Sequence, residues 1–175
     1  VEKMKYKIFF LGVWFLLSTV LYTQANAQTA KAELINSKGE KIGTATFTQE
    51  AEGVKISLEV SHLPPGTHGF HIHAVGKCEP PDFKSAGAHF NPTGKKHGLQ
   101  NPEGPHAGDL PNLTVGPDGT AKVEVVAKQV TLGEGKNSLL QPDGTALVIH
   151  ANPDDEKTDP AGNAGDRIAC GVISK

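Results

Sequence analysis

His71 and His73 are separated by a single residue, Ile72. In an extended strand the side chains at i and i+2 share a face, so the two imidazoles project together while Phe70 and Ile72 point the other way. Two imidazoles side by side on a rigid strand make half of a metal site. The pair alone is weak evidence, because two surface histidines reach this spacing by chance. The segment downstream strengthens it. His89, His97 and His106 follow at intervals of 8 and 9 residues, and Asp109 stands three residues after His106. Three nitrogens and one carboxylate oxygen fill the four-coordinate shell that zinc takes. With every position filled by protein atoms, that ion would be structural; the alternative is a polar loop that is histidine-rich by accident.

Seven of the eight histidines lie between Ser61 and His106, and the eighth, His150, ends the apolar run ALVIH. That is where a strand side chain would enter a site from a neighbouring ladder. His71, His73 and His150, with one shared imidazole, would suit copper, for which imidazole is a good ligand. An imidazole has two ring nitrogens, and once deprotonated it can bridge two ions. His89, the first loop histidine after the strand pair, is the natural bridge. His62, before a proline turn, reads as a surface residue.

Strands must hold these rings. Lys31 to Asn36 and Ile42 to Thr48 flank the turn SKGEK, and Val54 to Val60 alternates cleanly, with Val54, Ile56, Leu58 and Val60 on one face. Such alternation predicts a half-buried strand. Phe70 to Val75, Ala121 to Val126, Ala146 to His150 and Arg167 to Ile173 complete the set, with PPGTHG, VGPDGT and QPDGT as turns. Pro presets one backbone angle in such turns and Gly supplies another that other residues resist. Beyond residue 30 no segment sustains helical periodicity for three turns. The chain is therefore expected to be all-β, a sandwich or flattened barrel. Two long stretches, Gly76 to Asn112 and Ala151 to Asp166, break the strand rhythm, and loops of that length usually carry function.

The N-terminus reads separately. Lys3, Lys5 and Lys7 precede the run IFFLGVWFLLSTVL, and Ala25-Asn26-Ala27 fits a small-x-small cleavage site. Residues 1–27 are thus expected to be a signal peptide and 28–175 one exported domain. The product would be secreted or cell-surface associated; an uncleaved anchor is the alternative. Cleavage would remove Lys3, Lys5, Lys7 and Glu2, taking the formal net charge from -2 to -4. That remainder lacks a basic run dense enough for nucleic acid, and once cleaved it has no stable membrane partner. Cys78 and Cys170 are an even pair in an exported chain, which favours one disulfide worth roughly 2 to 4 kcal/mol; free thiols or thiolate ligands are the alternatives.

GFHIH at Gly69–His73, AGAHFNP at Ala86–Pro92, KHG at Lys96–Gly98, HAGDL at His106–Leu110, VIH at Val148–His150 and GNAGDRIACGV at Gly162–Val172 together resemble the copper-zinc superoxide dismutases. The resemblance implies a Greek-key β-sandwich or flattened eight-stranded antiparallel barrel with two long functional loops. It implies copper on His71, His73, His89 and His150, zinc on His89, His97, His106 and Asp109, and His89 as the bridge. Asp154 would accept hydrogen bonds from His71 and His97; the adjacent Asp155 is its rival, and the spacing from His150 favours Asp154. Cys78 and Cys170 would form the family's disulfide, and His68 would brace the strand. Arg167, by itself a loop-end cation, would guide superoxide anion to the copper, with Lys95, Lys96 and Lys157 as further cations to place. The ten residues EPPDFKSAGA between Cys78 and His89 resemble the bacterial branch. The loops that pair subunits in the familiar form cannot be assumed to do so here, and dimer and monomer both stay open.

Overall fold

A computed structural model describes residues 27–175; the expected signal peptide lies outside the described residues except for Ala27. The chain forms strands β1 (Thr29–Asn36), β2 (Lys41–Glu50), β3 (Gly53–Val60), β4 (Gly66–His68), β5 (Phe70–His73), β6 (Leu113–Val115), β7 (Ala121–Ala127), β8 (Thr145–His150) and β9 (Arg167–Ile173). All strand pairing among the named strands is antiparallel. One sheet runs β5-β8-β9-β1-β2-β3-β7, and β4 pairs with β6. Only Gly69 separates β4 from β5, so these two form one run that changes partner midway, and β6 lies beside β7. Counted that way, eight strands close the flattened barrel. β3 pairs with β7 rather than β4, and β8 returns to β5, which are the crossovers of a Greek key.

All seven expected strands form, with small shifts at their ends. β4 and β6 were not expected: β4 falls inside the stretch read as the turn PPGTHG, and β6 has only three residues. Three residues are too few to show an alternation. β5 stops at His73 rather than Val75, because the Ala74 and Val75 amides donate to the Ala88 and Ala86 carbonyls of the long loop. A turn of 3-10 helix at Lys84–Ala86 interrupts that loop.

Burial follows the alternation. In β3, Val54, Ile56, Leu58 and Val60 are buried and join Leu34, Phe47, Phe70, Ile72, Leu147 and Ile149 in the barrel core. β8, like β5 beside it, is buried at every position. Leu147 and Ile149 enter the core, whereas Ala146 and Val148 face outward into a second small cluster with Phe83, Ala86 and Cys170. In the register of β5 on β8, His71 sits opposite Val148 and His73 opposite Ala146. The outer face of this corner is therefore roofed by the long loop, and the paired histidines lie under that roof. Cys78 and Cys170 are disulfide-bonded, tying the loop to β9 across 92 residues of sequence. That bond removes the readings of free thiols and thiolate ligands.

Candidate metal centre

The loop is laid onto β5 by backbone hydrogen bonds. Phe90 N–H donates to the Ile72 carbonyl, Ile72 N–H to that of Gly108, and Gly108 N–H to that of Phe90. A Cβ at Gly108 would stand 2.3 Å from the Ile72 oxygen, so only glycine permits this approach. The result brings His89 beside His73 and Asp109 beside His71 as isolated bridges. The second loop, after His150, closes over the same place, pinned by Asn152 N–H to the Ala164 carbonyl and Ala151 N–H to that of Asp166.

His71, His73, His89 and His150 are all buried, and one donor atom from each lies within 4.8 Å of the others. Three of the rings have one nitrogen tied to an acceptor. His71 Nε2 lies 2.6 Å from Asp154 Oδ2, His73 Nδ1 2.8 Å from the Gly87 carbonyl, and His150 Nδ1 3.1 Å from the Gly165 carbonyl. When those nitrogens carry the hydrogen, the opposite nitrogen presents a lone pair, which is the tautomer a metal needs. His73 Nε2 and His150 Nε2 are 3.4 Å apart. His71 Nδ1 and His89 Nε2 are buried with no hydrogen-bond partner. Buried polar atoms are normally satisfied, so two orphaned nitrogens in one cluster are donors that await an acceptor of electron pairs.

The second set is built on Asp109. Its Oδ2 accepts from the Gly98 and His106 amides, both at 2.9 Å. Its Oδ1 lies 3.0 Å from His89 Nδ1, 3.0 Å from His97 Nδ1 and 3.4 Å from His106 Nδ1, and the last is 3.4 Å from His89 Nδ1. A tetrahedron with bonds of about 2.0–2.1 Å has edges of about 3.3 Å, and these separations fit it. A tighter grouping by mutual distance replaces His106 with His71. His71 is the poorer fourth donor, because its Nε2 is held by Asp154 and its Nδ1 belongs to the first set.

Electrostatics divide the rings. Burial, helped by neighbouring histidines, lowers His89 to about 4 and His150 to about 3, and holds His73 well below its ordinary value. These rings are neutral at neutral pH, the form in which an imidazole nitrogen can donate to a metal. Burial also works against a charge on His97, but hydrogen bonding to Asp109 and Asp154 outweighs it and raises the ring to about 9. Burial would raise the Asp109 carboxyl; hydrogen bonding to His106, His89 and His97 overrides it and holds the group far below the usual range.

Asp154 spans the two sets, its Oδ1 3.0 Å from His97 Nε2 and its Oδ2 2.6 Å from His71 Nε2. Asp155 instead clasps its own loop, accepting from Lys157, Thr158 and Asn163. A Cβ at Gly162 would fall 1.8 Å from Asp154 Oδ1, so glycine is required there. Asn112 was not singled out from the sequence. It grips Asp154 from the other loop, its Nδ2 donating to the Asp154 carbonyl at 2.9 Å and its Oδ1 accepting from the Asp154 amide at 2.8 Å. Nothing local marks it, since its partner lies 42 residues away.

Arg167 lies opposite His150 in the β8–β9 register. It lines an open cleft of about 460 Å³ with Pro81, Asp82, Lys84, Gly165 and Asp166. Lys84 is thus the lysine on the cleft wall, whereas Lys95, Lys96 and Lys157 do not line it, and Lys96 is paired with Glu103 at 2.7 Å. His68 is buried with its ring between the His150 and Pro64 carbonyls, 2.8 Å from each, so both ring nitrogens are engaged in bracing the strand. His62 is exposed.

A Greek-key barrel in which buried histidines and Asp109 gather into two adjoining donor groups, with His71 and His89 close enough to reach both, defines a candidate dinuclear metal centre. Residues 41–173 match the family described as copper/zinc superoxide dismutase (SODC), and the chain belongs to that family. It is 58% identical over 164 residues to superoxide dismutase [Cu-Zn] 1 of Aquifex aeolicus, covering 91% of this chain and 97% of that protein. It is 45% identical to superoxide dismutase [Cu-Zn] of Caulobacter vibrioides, covering 83% of this chain and 85% of that protein. Among solved structures, the Cu/Zn superoxide dismutase from Brucella abortus has a TM-score of 0.69 at 30% identity, covering 84% of this chain and 100% of that one. A SOD-like protein from Bacillus subtilis, solved as a double mutant, has a TM-score of 0.80 at 45% identity, covering 83% and 97%.

Proposed function

We propose that this protein binds one copper and one zinc and disproportionates superoxide, two anions and two protons giving dioxygen and hydrogen peroxide. The observation that carries the reading is the pair of orphaned buried nitrogens, His71 Nδ1 and His89 Nε2, clustered with His73 and His150. When bound, copper supplies the one-electron chemistry, taking an electron from one superoxide and returning it to a second. His71, His73, His89 and His150 would hold it, and His89, His97, His106 and Asp109 would hold zinc.

The protein's own groups do the rest. His89 offers Nδ1 to the zinc set and Nε2 to the copper set, so Nε2 is the atom at which a proton can be held and handed to the second anion. Asp154 keeps the His71 and His97 rings turned inward. Arg167 places a cation in the cleft beside His150, where low-dielectric walls focus its field on a small anion. Because the whole chain is net negative, attraction of superoxide must be local and must weaken as salt rises.

The test is dismutation by the purified chain with both metals quantified in the same sample. High activity at one copper and one zinc per chain is expected. Full copper occupancy without activity would overturn the enzyme in favour of a silent copper-zinc binder.

The protein is further proposed to be exported. The basic, apolar and small-x-small order of residues 1–27 supports this, as does a disulfide suited to an oxidising compartment. A cut after Ala27 would leave β1, which begins at Thr29, whole. N-terminal sequencing of the cell-envelope or secreted form should begin at Gln28; a cytoplasmic, uncut chain would refute the proposal.

A further inference from the structure

We propose that Phe83 is the positioning residue for Arg167, and that its buried ring, rather than the disulfide loop's backbone alone, holds the guanidinium at the mouth of the site. The proposal deepens the dismutase reading and rests on it for its catalytic consequence. Arg167 Nη1 donates to the Phe83 carbonyl at 2.8 Å and Nη2 to the Gly87 carbonyl at 2.7 Å. These two residues are the caps of the 3-10 turn Lys84–Ala86. The guanidinium therefore lies across the turn, one nitrogen at each end. Gly87's carbonyl also accepts from His73 Nδ1, so the same turn registers Arg167 against the donor cluster.

What holds the turn in place is Phe83. Its backbone is left-handed, with φ 54 and ψ 22, a conformation that a residue with a Cβ adopts only against a steric cost. Its ring is fully buried in the small cluster with Ala86, Ala146, Val148 and Cys170, on the outer side of β8 and β9 and apart from the barrel core. Burial of an aromatic ring outweighs that cost and keeps the strained turn. Take the ring away and the turn keeps only its backbone bonds, Phe83 N–H to the Glu79 carbonyl and Ala86 N–H to that of Phe83, and the small Ala86 side chain as apolar anchor. The Phe83 carbonyl can then drift from Nη1. Arg167 would then keep one acceptor of two and lean toward the Asp82 side of the cleft.

Arg167 is the only arginine in the sequence, which makes the test direct. The copper- and zinc-loaded protein is treated with phenylglyoxal, an arginine reagent, and the labelling of Arg167 is timed by peptide mass. Phe83→Ala and Phe83→Gly should label roughly tenfold faster than the parent, the scale of one lost charged hydrogen bond. Metal content and the copper EPR spectrum should stay those of the parent, and the salt dependence of dismutation should flatten. Phe83→Leu, which keeps an apolar anchor, should restore most of the protection. Glycine accepts the left-handed backbone freely, so Phe83→Gly isolates the ring if Phe83→Ala fails to fold. Parent-like labelling in Phe83→Gly would overturn the proposal, as would faster labelling with unchanged salt dependence. A parent without dismutase activity would sink the functional reading instead, while the labelling would still decide what Phe83 does.

Discussion

His150→Ala should leave a folded, zinc-loaded protein with almost no dismutase activity. The His150 ring contributes a nitrogen 3.4 Å from that of His73 and is oriented by the Gly165 carbonyl. It has no part in the Asp109 set, so zinc should stay at one per chain. Removing a partner that merely orients a ligand costs roughly 10–100-fold in metal affinity, and losing the ligand itself should cost more. Burial lowers the His150 pKa to about 3, so the ring is neutral with its hydrogen on Nδ1 towards the Gly165 carbonyl; Nε2 has no proton to displace, and loss of the ring is a loss of that donor. Measuring copper by chelator competition beside zinc content gives the split. A variant that loses both metals equally, or keeps activity, would show that His150 is not a copper ligand.

Asp154→Ala should weaken both metals at once, although by this reading its carboxylate ligates neither. The buried carboxylate is shared between His71, in the first donor set, and His97, in the second. Without it, two buried Nε2 atoms lose their acceptor, at about 1–3 kcal/mol for each group left unsatisfied. Freed rings lose the orientation that aims their other nitrogens inward, and affinity for copper and for zinc should each fall roughly 10–100-fold. Asp154→Asn, which keeps the shape and one acceptor oxygen, should lie between. Separate competition titrations for the two metals decide it. If only one affinity moves, the carboxylate is not the link between the sets. Asp155→Ala serves as the contrast: its carboxylate clasps Lys157, Thr158 and Asn163 and reaches neither ring.

The two substitutions also separate what was legible in the residues from what was not. His150 could be read from the chain, since a histidine ending an apolar run has few other uses once five more are spaced for metal. The choice of Asp154 over Asp155 could be ranked by spacing, and its geometric reason is visible only where two loops meet. Asn112 and Phe83 carried no signal. An asparagine before a short strand and a phenylalanine in a polar loop are common, and their roles depend on partners 42 and 84 residues away.

By itself, the sequence determined the donor inventory, the single-face alternation of β3, the side-by-side projection of His71 and His73, and the class of fold. Each of these depends on a local period or on residue type, and local geometry is set by neighbours in the chain. The tertiary structure alone decided that β4 and β5 are one run with two partners and that Lys84 rather than Lys95, Lys96 or Lys157 lines the Arg167 cleft. It also decided that one turn aligns Arg167 with His73. The physical reason is that a strand's period says which way a side chain points but not what it will meet. That is settled by the register of β5 on β8 and by two long loops folding over the same outer face.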